Sequence, residues 1–410
     1  MRTAAFVAPY LMPATLRFVE AAARLDGVRL GLVTTVPAQD LPDELRARLH
    51  GHYRLDDALD PERIAEAVVG LRSQLGSVER LVGTLEQLQV PLGQVRDALG
   101  IPGMGAEVAR NFRDKARMKT VLRAAGVPCA RHQLAGGAEE ARRFCAEAGF
   151  PVVAKPPAGA GARDTFRLED GGQLEAWLRV DPPTQGRPVL LEEMVQGQEH
   201  SFDSVVVDGR LAWWSVSRYL PSPLEVMENA WIQWAVLLPR ELGDDLGDIR
   251  DAGHAALRAL GLQTGLSHME WFRTPGGGVA ISEVGARPPG AQITSLLSYA
   301  HDADVYAIWA RLSILDAFDP PERRWAVGAA YLRGQGHGRV RAVHGLDQLQ
   351  REIGDLVVEA RLPERGQSPS ASYEGDGYVI VRHPRTDVVV DALWRIVSLA
   401  RVELAGEAGR

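Results

Sequence analysis

The chain has 410 residues, enough for two to four domains at roughly 100–200 residues each. Hydrophobic residues make up 46% and the formal net charge is −7, so a sizeable core can form, and the lack of any basic run argues against nucleic acid as a partner. Of the 46 basic residues only three are lysine: Lys115, Lys119 and Lys155.

In chain order, Ala4–Ala8 reads as a first strand. A secretory leader is the weaker reading of MRTAAFVAPYLMPATL, because Pro9 and Pro13 interrupt the apolar stretch and only one positive charge precedes it. No other stretch is long and apolar enough to span a bilayer. Ala14–Arg24 has helical spacing, and VRLGLVT over Val28–Thr34 is strand-like. Pro61–Leu75 and Pro91–Leu99 predict helices stopped by Gly76 and Gly100. This alternation implies a small α/β layer with a parallel sheet.

Asn111 is expected to cap a helix that carries Asp114, Lys115 and Lys119 and stops at Gly126 and Pro128. A second helix, Glu139–Ala148, precedes the strand PVVAKPP and the loop AGAGARDT. PVLLEE over Pro188–Glu193 reads as a buried strand. Strands at Glu199–Val207 and Leu211–Ser217, a helix at Asp248–Leu260, and strands at Leu266–Phe272 and Val279–Val284 follow. TPGGG between the last two suits an antiparallel hairpin. Residues 326–400 read as further strands and helices. Cys129 and Cys145 have no metal-cluster or redox spacing, which fits ordinary thiols in a reducing cytoplasm.

Five segments carry chemistry. Lys155 is delivered by a strand into a small-residue loop with Gly159 and Gly161, where backbone N–H groups can approach anionic oxygens; a plain turn between strands is the alternative. Lys115 and Lys119, four apart, share a helix face. Lys115 is the expected phosphate contact, and Lys119 reads as a solvated surface charge. LEEMVQGQEHSF offers backbone groups at Glu193 and Val195 to an adenine edge and a Glu199 carboxylate to ribose hydroxyls; read alone, it is a surface hairpin with acidic residues. Strand alternation puts His268, Glu270 and Phe272 on one face and Ile281, Glu283 and Gly285 on one face of the next strand. The hairpin can therefore bring two carboxylates together, a costly arrangement unless a cation sits between them. Arg287 in GARPPG is a stiffly held guanidinium suited to phosphate charge, or to a structural salt bridge. Trp213, Trp214, Trp231 and Trp234 are either pocket walls or core aromatics.

Taken in order, the "DK" helix ending in AGVP, PVVAKP with its small-residue loop, LEEMVQGQE, and the closing Glu–strand–turn–strand–Glu-x-x-x-Arg pattern resemble the ATP-grasp superfamily over roughly residues 100–300. The last part, with AAYLRGQGHGRV and GYVIV, resembles the C-terminal domain of its carboxylate–amine ligase branch, which includes L-amino-acid ligases and carnosine-synthase-like enzymes.

The resemblance implies an α/β (α+β) chain with a Rossmann-like N-terminal domain over 1–105 and a small ATP-grasp subdomain with a lid loop over 106–190. A large subdomain with the metal site would span 191–320, and a C-terminal α+β domain 321–410. It implies ATP held by Lys115, Lys155, Gly159, Gly161, Glu192, Glu193, Val195 and Glu199. It also implies Mg2+ (or Mn2+) on Glu270 and Glu283, and Arg287 on the acyl phosphate. Many members read Glu-x-Asn at the second metal position, whereas this chain reads Glu283-Val284-Gly285. The implied activity is amide-bond formation between a small-molecule carboxylate and an amine, such as amino acids, in a cytoplasmic protein, with a homodimer as one arrangement open to it. Carboxylation through carboxyphosphate and non-catalytic ATP binding are the alternatives. A dinucleotide-dependent oxidoreductase lacks its G-x-G-x-x-G after the first strand.

Overall fold

The computed structural model describes residues 1–159, 164–228, 233–243, 246–370, 372 and 374–405. The first four strands, β1 (Arg2–Val7), β2 (Val28–Thr34), β3 (Gly51–Arg54) and β4 (Arg80–Val82), form a parallel sheet in the order β3-β2-β1-β4. Its two central strands, β1 and β2, are apolar and buried over most of their length because both faces are covered. Ala4 and Phe6 pack with Phe18 and Val19 of the helix Pro13–Ala23 on one side. Ala5 and Val7 pack with Ile64, Val68 and Leu71 of the helix Pro61–Leu75 on the other.

The helix expected to begin at Asn111 is instead two helices, Ala106–Arg113 and Lys115–Ala124, broken at Asp114. Asp114 has extended backbone, and its carboxylate accepts from the N–H groups of Ala116 (2.9 Å) and Arg117 (3.0 Å). It satisfies two donors that a helix start leaves without partners. Asn111 lies inside the earlier helix and gives its side-chain amide to the Leu260 carbonyl.

A second sheet is antiparallel in the order β5-β8-β6-β7, from β5 (His132–Ala135), β6 (Val152–Lys155), β7 (Phe166–Leu168) and β8 (Val189–Glu193). The helices Ala138–Ala148 and Gly171–Val180 cover one of its faces through Phe144, Leu174 and Trp177.

The largest sheet comprises β9 (Gln198–Val207), β10 (Arg210–Leu220), β11 (Trp234–Leu238), β12 (Gly265–Arg273), β13 (Val279–Gly285) and β14 (Ala326–Leu332), with two later strands. Three more strands, β15 (Gly334–Gln335), β16 (Arg339–His344) and β19 (Arg401–Ala405), form a small separate sheet. The two that return to the large sheet are β17 (Val357–Arg361) and β18 (Gly377–His383). The large sheet runs β13-β12-β9-β10-β11-β14-β18-β17, antiparallel at every step. It is thus continuous across residue 320, joining strands from the 191–320 and 321–410 segments. The helix Val305–Leu315 lies against the N-terminal layer, with Trp309 edge-on to Phe6 and Phe18. Among the described residues no helix is long and apolar enough to cross a membrane.

Candidate functional site

The large sheet has two unlike faces where β9, β12 and β13 meet. Side chains alternate along a strand, and residues directly opposite in a pair share a face. Phe202 on β9 with Met269 and Trp271 on β12 packs against the helix Gly247–Leu260. The other face carries Glu199, Ser201 and Asp203 of β9, opposite Phe272, Glu270 and His268 of β12 respectively. Next to them on β13, Glu283 is the register partner of Glu270 and Gly285 that of His268. The hairpin therefore brings the two carboxylates side by side.

The cleft over this polar floor is roofed by the second sheet and by the Lys115–Ala124 helix. All three lysines of the chain line it. Lys115 is ion-paired to Glu283 and donates to the Gly159 carbonyl at 3.1 Å. Lys155, at the end of β6, stands 3.0 Å from one oxygen of Glu192, and Lys119 stands 3.4 Å from the other. Lys119 corrects the expectation of a surface charge: it is fully buried and donates to the Ser282 carbonyl at 3.0 Å. The i, i+4 spacing does put it beside Lys115, but that helix face turns toward β8 and β13 rather than water.

Charges decide protonation here. Burial alone would lower Lys155, yet Glu192 and Glu283 outweigh it and raise the ammonium above its ordinary value. Burial holds Lys119 below its ordinary value despite Glu192. Glu283 would be raised by burial, but Lys115 and Lys155 hold it well below the usual carboxylate range. Burial and the neighbouring Glu283 push Glu270 up, and burial and Glu270 push Glu199 up. The floor thus holds more carboxylate than its own lysines neutralise, as expected where a cation belongs.

The other predicted positions fall as follows. Glu192 turns its carboxylate inward between two lysines. Glu193 turns outward: it accepts from the Arg131 N–H at 2.8 Å and donates its own N–H to the Arg131 carbonyl at 3.0 Å. Val195 and Gly159 line the cleft. Gly161 and Trp231 lie outside the described residues, as does most of the loop between Gly159 and Asp164. Trp234 lines the cleft and stacks on Tyr331, whereas Trp214 stacks on Phe202 and Trp213 meets His301 edge-on, both half-buried against the core. Arg287 is 2.8 Å from Glu86, a residue of the N-terminal layer absent from the sequence reading. The sequence reading also missed Asp203, whose buried carboxylate meets His268 Nδ1 at 2.7 Å.

Two carboxylates, Glu270 and Glu283, fit a hard cation such as Mg2+, which takes one or two protein oxygens and fills the rest of its shell with water or phosphate. No cluster of three metal-binding side chains occurs among the described residues. Gly285 leaves room for a side chain: a Cβ there would meet nothing nearer than Arg287 Cγ at 3.5 Å.

No family model matches the chain. It is 23% identical over 267 residues to the L-arginine-specific L-amino acid ligase of Bacillus subtilis, covering 64% of this chain and 64% of that protein. It is 24% identical over 230 residues to the alanine–anticapsin ligase of Bacillus subtilis (strain 168), covering 51% and 48%. The chain thus spans about half to just under two thirds of the length of these curated relatives. Among solved structures, an L-amino acid ligase from Bacillus licheniformis superimposes with a TM-score of 0.79 at 17% identity, over 99% of both chains. An N5-carboxyaminoimidazole ribonucleotide synthetase from Thermotoga maritima gives 0.72 at 17%, over 99% of this chain and 100% of that one. The chain thus shares the fold of these solved ligases and is similar in sequence to curated amino-acid ligases, in agreement with its resemblance to the carboxylate–amine ligases of the ATP-grasp superfamily.

Proposed function

We propose that this protein joins a small-molecule carboxylate to an amine at the expense of ATP, releasing ADP and phosphate. The observation that carries the reading is the facing of three lysines and Arg287 against the paired carboxylates Glu270 and Glu283 in one cleft. In this reading Lys115 and Lys155 hold the phosphates and Glu192 keeps the two inner lysines apart and charged. Glu193 and Val195 border the base, and Glu199 borders the ribose. Glu270 and Glu283 would hold Mg2+ or Mn2+, which when bound supplies positive charge to the phosphate oxygens.

The reaction is transfer of the γ-phosphate to the substrate carboxylate, then attack of the amine on the resulting acyl phosphate. The protein's part is positioning and charge neutralisation, with Arg287 beside the transferred group. Amino acids are the proposed substrate class, on the likeness to relatives whose names say they ligate amino acids. A carboxyphosphate route is the second reading, favoured by the full-length likeness to a carboxyaminoimidazole ribonucleotide synthetase.

The test is a screen of amino-acid pairs for ADP release, with mass spectrometry of the products. An amide product is expected. ADP release that needs bicarbonate, or nucleotide binding with no turnover on any pair, overturns the reading.

A further inference from the structure

The N-terminal layer reaches into the cleft at one side chain. Glu86 follows β4, on the loops at the carboxyl ends of the parallel strands, where open α/β sheets present their ligand-contacting groups. It is buried, with 8% of its surface exposed, and lines the same cleft as the lysines. One carboxylate oxygen stands 2.7 Å from Arg113 Nη1 and the other 2.8 Å from Arg287 Nη2. Arg113 ends the helix before Asp114 and also donates to the Gly159 carbonyl at 3.3 Å, at the foot of the glycine loop. Arg287 donates its second nitrogen to the carbonyl of its neighbour Pro288 at 2.9 Å. Three segments distant in sequence are thereby fixed through one carboxylate.

We propose that Glu86 is the positioning residue for Arg287: it sets the guanidinium where the transferred phosphoryl group arrives. An arginine side chain is long and rotamer-rich, so a fixed orientation takes several directed contacts. A buried carboxylate engaged at both oxygens supplies it through charge-assisted hydrogen bonds. Without Glu86, the Arg113 and Arg287 guanidiniums would lose the carboxylate that bridges them, and Arg287 would shift from the orientation that the bridge sets. Its charge would then be present in the molecule but not at the phosphate. The proposal rests on the assignment of Arg287 in the ligase reading.

A thermodynamic cycle tests it with Glu86→Ala, Arg287→Ala and the double variant, plus Glu86→Gln. The first readout needs no turnover: the affinity of an unreactive β,γ-imido ATP analogue relative to ADP, with Mg2+, by calorimetry. Each single substitution is expected to cut the triphosphate preference by about 10-fold, and the double variant no further, since one interaction is lost either way. Glu86→Gln keeps one acceptor oxygen and should fall between the wild type and Glu86→Ala. The second readout is kcat on whichever substrate pair the product screen yields, with the same pattern expected. Multiplying losses in the double variant, or a Glu86→Ala protein of lowered melting temperature with its triphosphate preference intact, overturns the proposal. A wild type that binds the analogue but turns over no pair sinks the ligase reading, while the affinity cycle still decides the role of Glu86.

Discussion

At Glu283, one carboxylate serves two partners. It pairs with Lys115 and stands opposite Glu270, so its charge restrains a lysine and, in the proposed function, completes a cation site. Glu283→Gln keeps the shape and removes the charge. Turnover should fall by about 100-fold or more, and Mn2+ affinity, read by electron paramagnetic resonance, should weaken in parallel. Undiminished turnover would end the metal assignment. His301 gives a prediction about stability instead. Burial lowers it to about 4, and its Nδ1 meets the Leu297 carbonyl at 2.7 Å. The unfolded chain takes up that proton near the ordinary histidine value, so between about pH 6.5 and 4 it binds more protons than the native state. Stability must therefore fall as the pH drops through that window, by up to roughly 3 kcal/mol in total. Urea titrations of His301→Gln should show a flatter acid limb than the wild type. Residue identities in the site were partly legible: alternation alone put Glu270 and Glu283 on facing positions of a hairpin. Lys119 and Glu86 were not, because a helix pattern does not say which face is covered, and nothing in TLEQLQVPL marks one glutamate as buried. Asp203 had a signal that went unused, the polar alternation of Glu199, Ser201 and Asp203 along one strand.

Among elements, the helix Lys115–Ala124 matters most, because it holds two of the three lysines and its start is fixed by Asp114. The sequence pattern found the helix and its end but ran it through the break: Asn111 and Asp114 are both good caps, and only packing of Asn111 against Leu260 chooses between them. The turn entering β9 is as constrained. Gly197 has φ +151°, and a Cβ there would lie 2.3 Å from the Arg273 carbonyl oxygen. Backbone meets backbone at that point, so no side chain can swing aside. Gly197→Ala should destabilise the protein by about 2 kcal/mol or more and disturb Glu199, two residues on. Thermal unfolding measures the first effect and nucleotide affinity the second. An unchanged melting temperature would mean that the turn yields more easily than its geometry implies.

The whole molecule is organised by the eight-stranded sheet, which draws strands from either side of residue 320. Local pattern could segment the chain but not see this continuity, because β14 pairs with β11 across a stretch containing two strands and three α-helices. The N-terminal layer docks on the sheet's helices through the aromatic contacts of Phe6, Phe18, Tyr306 and Trp309. Trp309→Ala removes the central ring and should cost about 3–5 kcal/mol of stability in urea unfolding. If Glu86 acts as inferred, the same change should lower the triphosphate preference of the protein that remains folded.

The scarcity of lysine has a chemical consequence. Every ε-amine of the chain lies in one cleft, and the most enclosed of them, Lys119, is wholly shielded. An acylating reagent that elsewhere decorates a protein at random would here, apart from the chain's α-amine, find only Lys115 and Lys155. Nucleotide should shield both, so the mass of the intact labelled protein, taken with and without ATP, would report occupancy of this single cleft without any engineered probe.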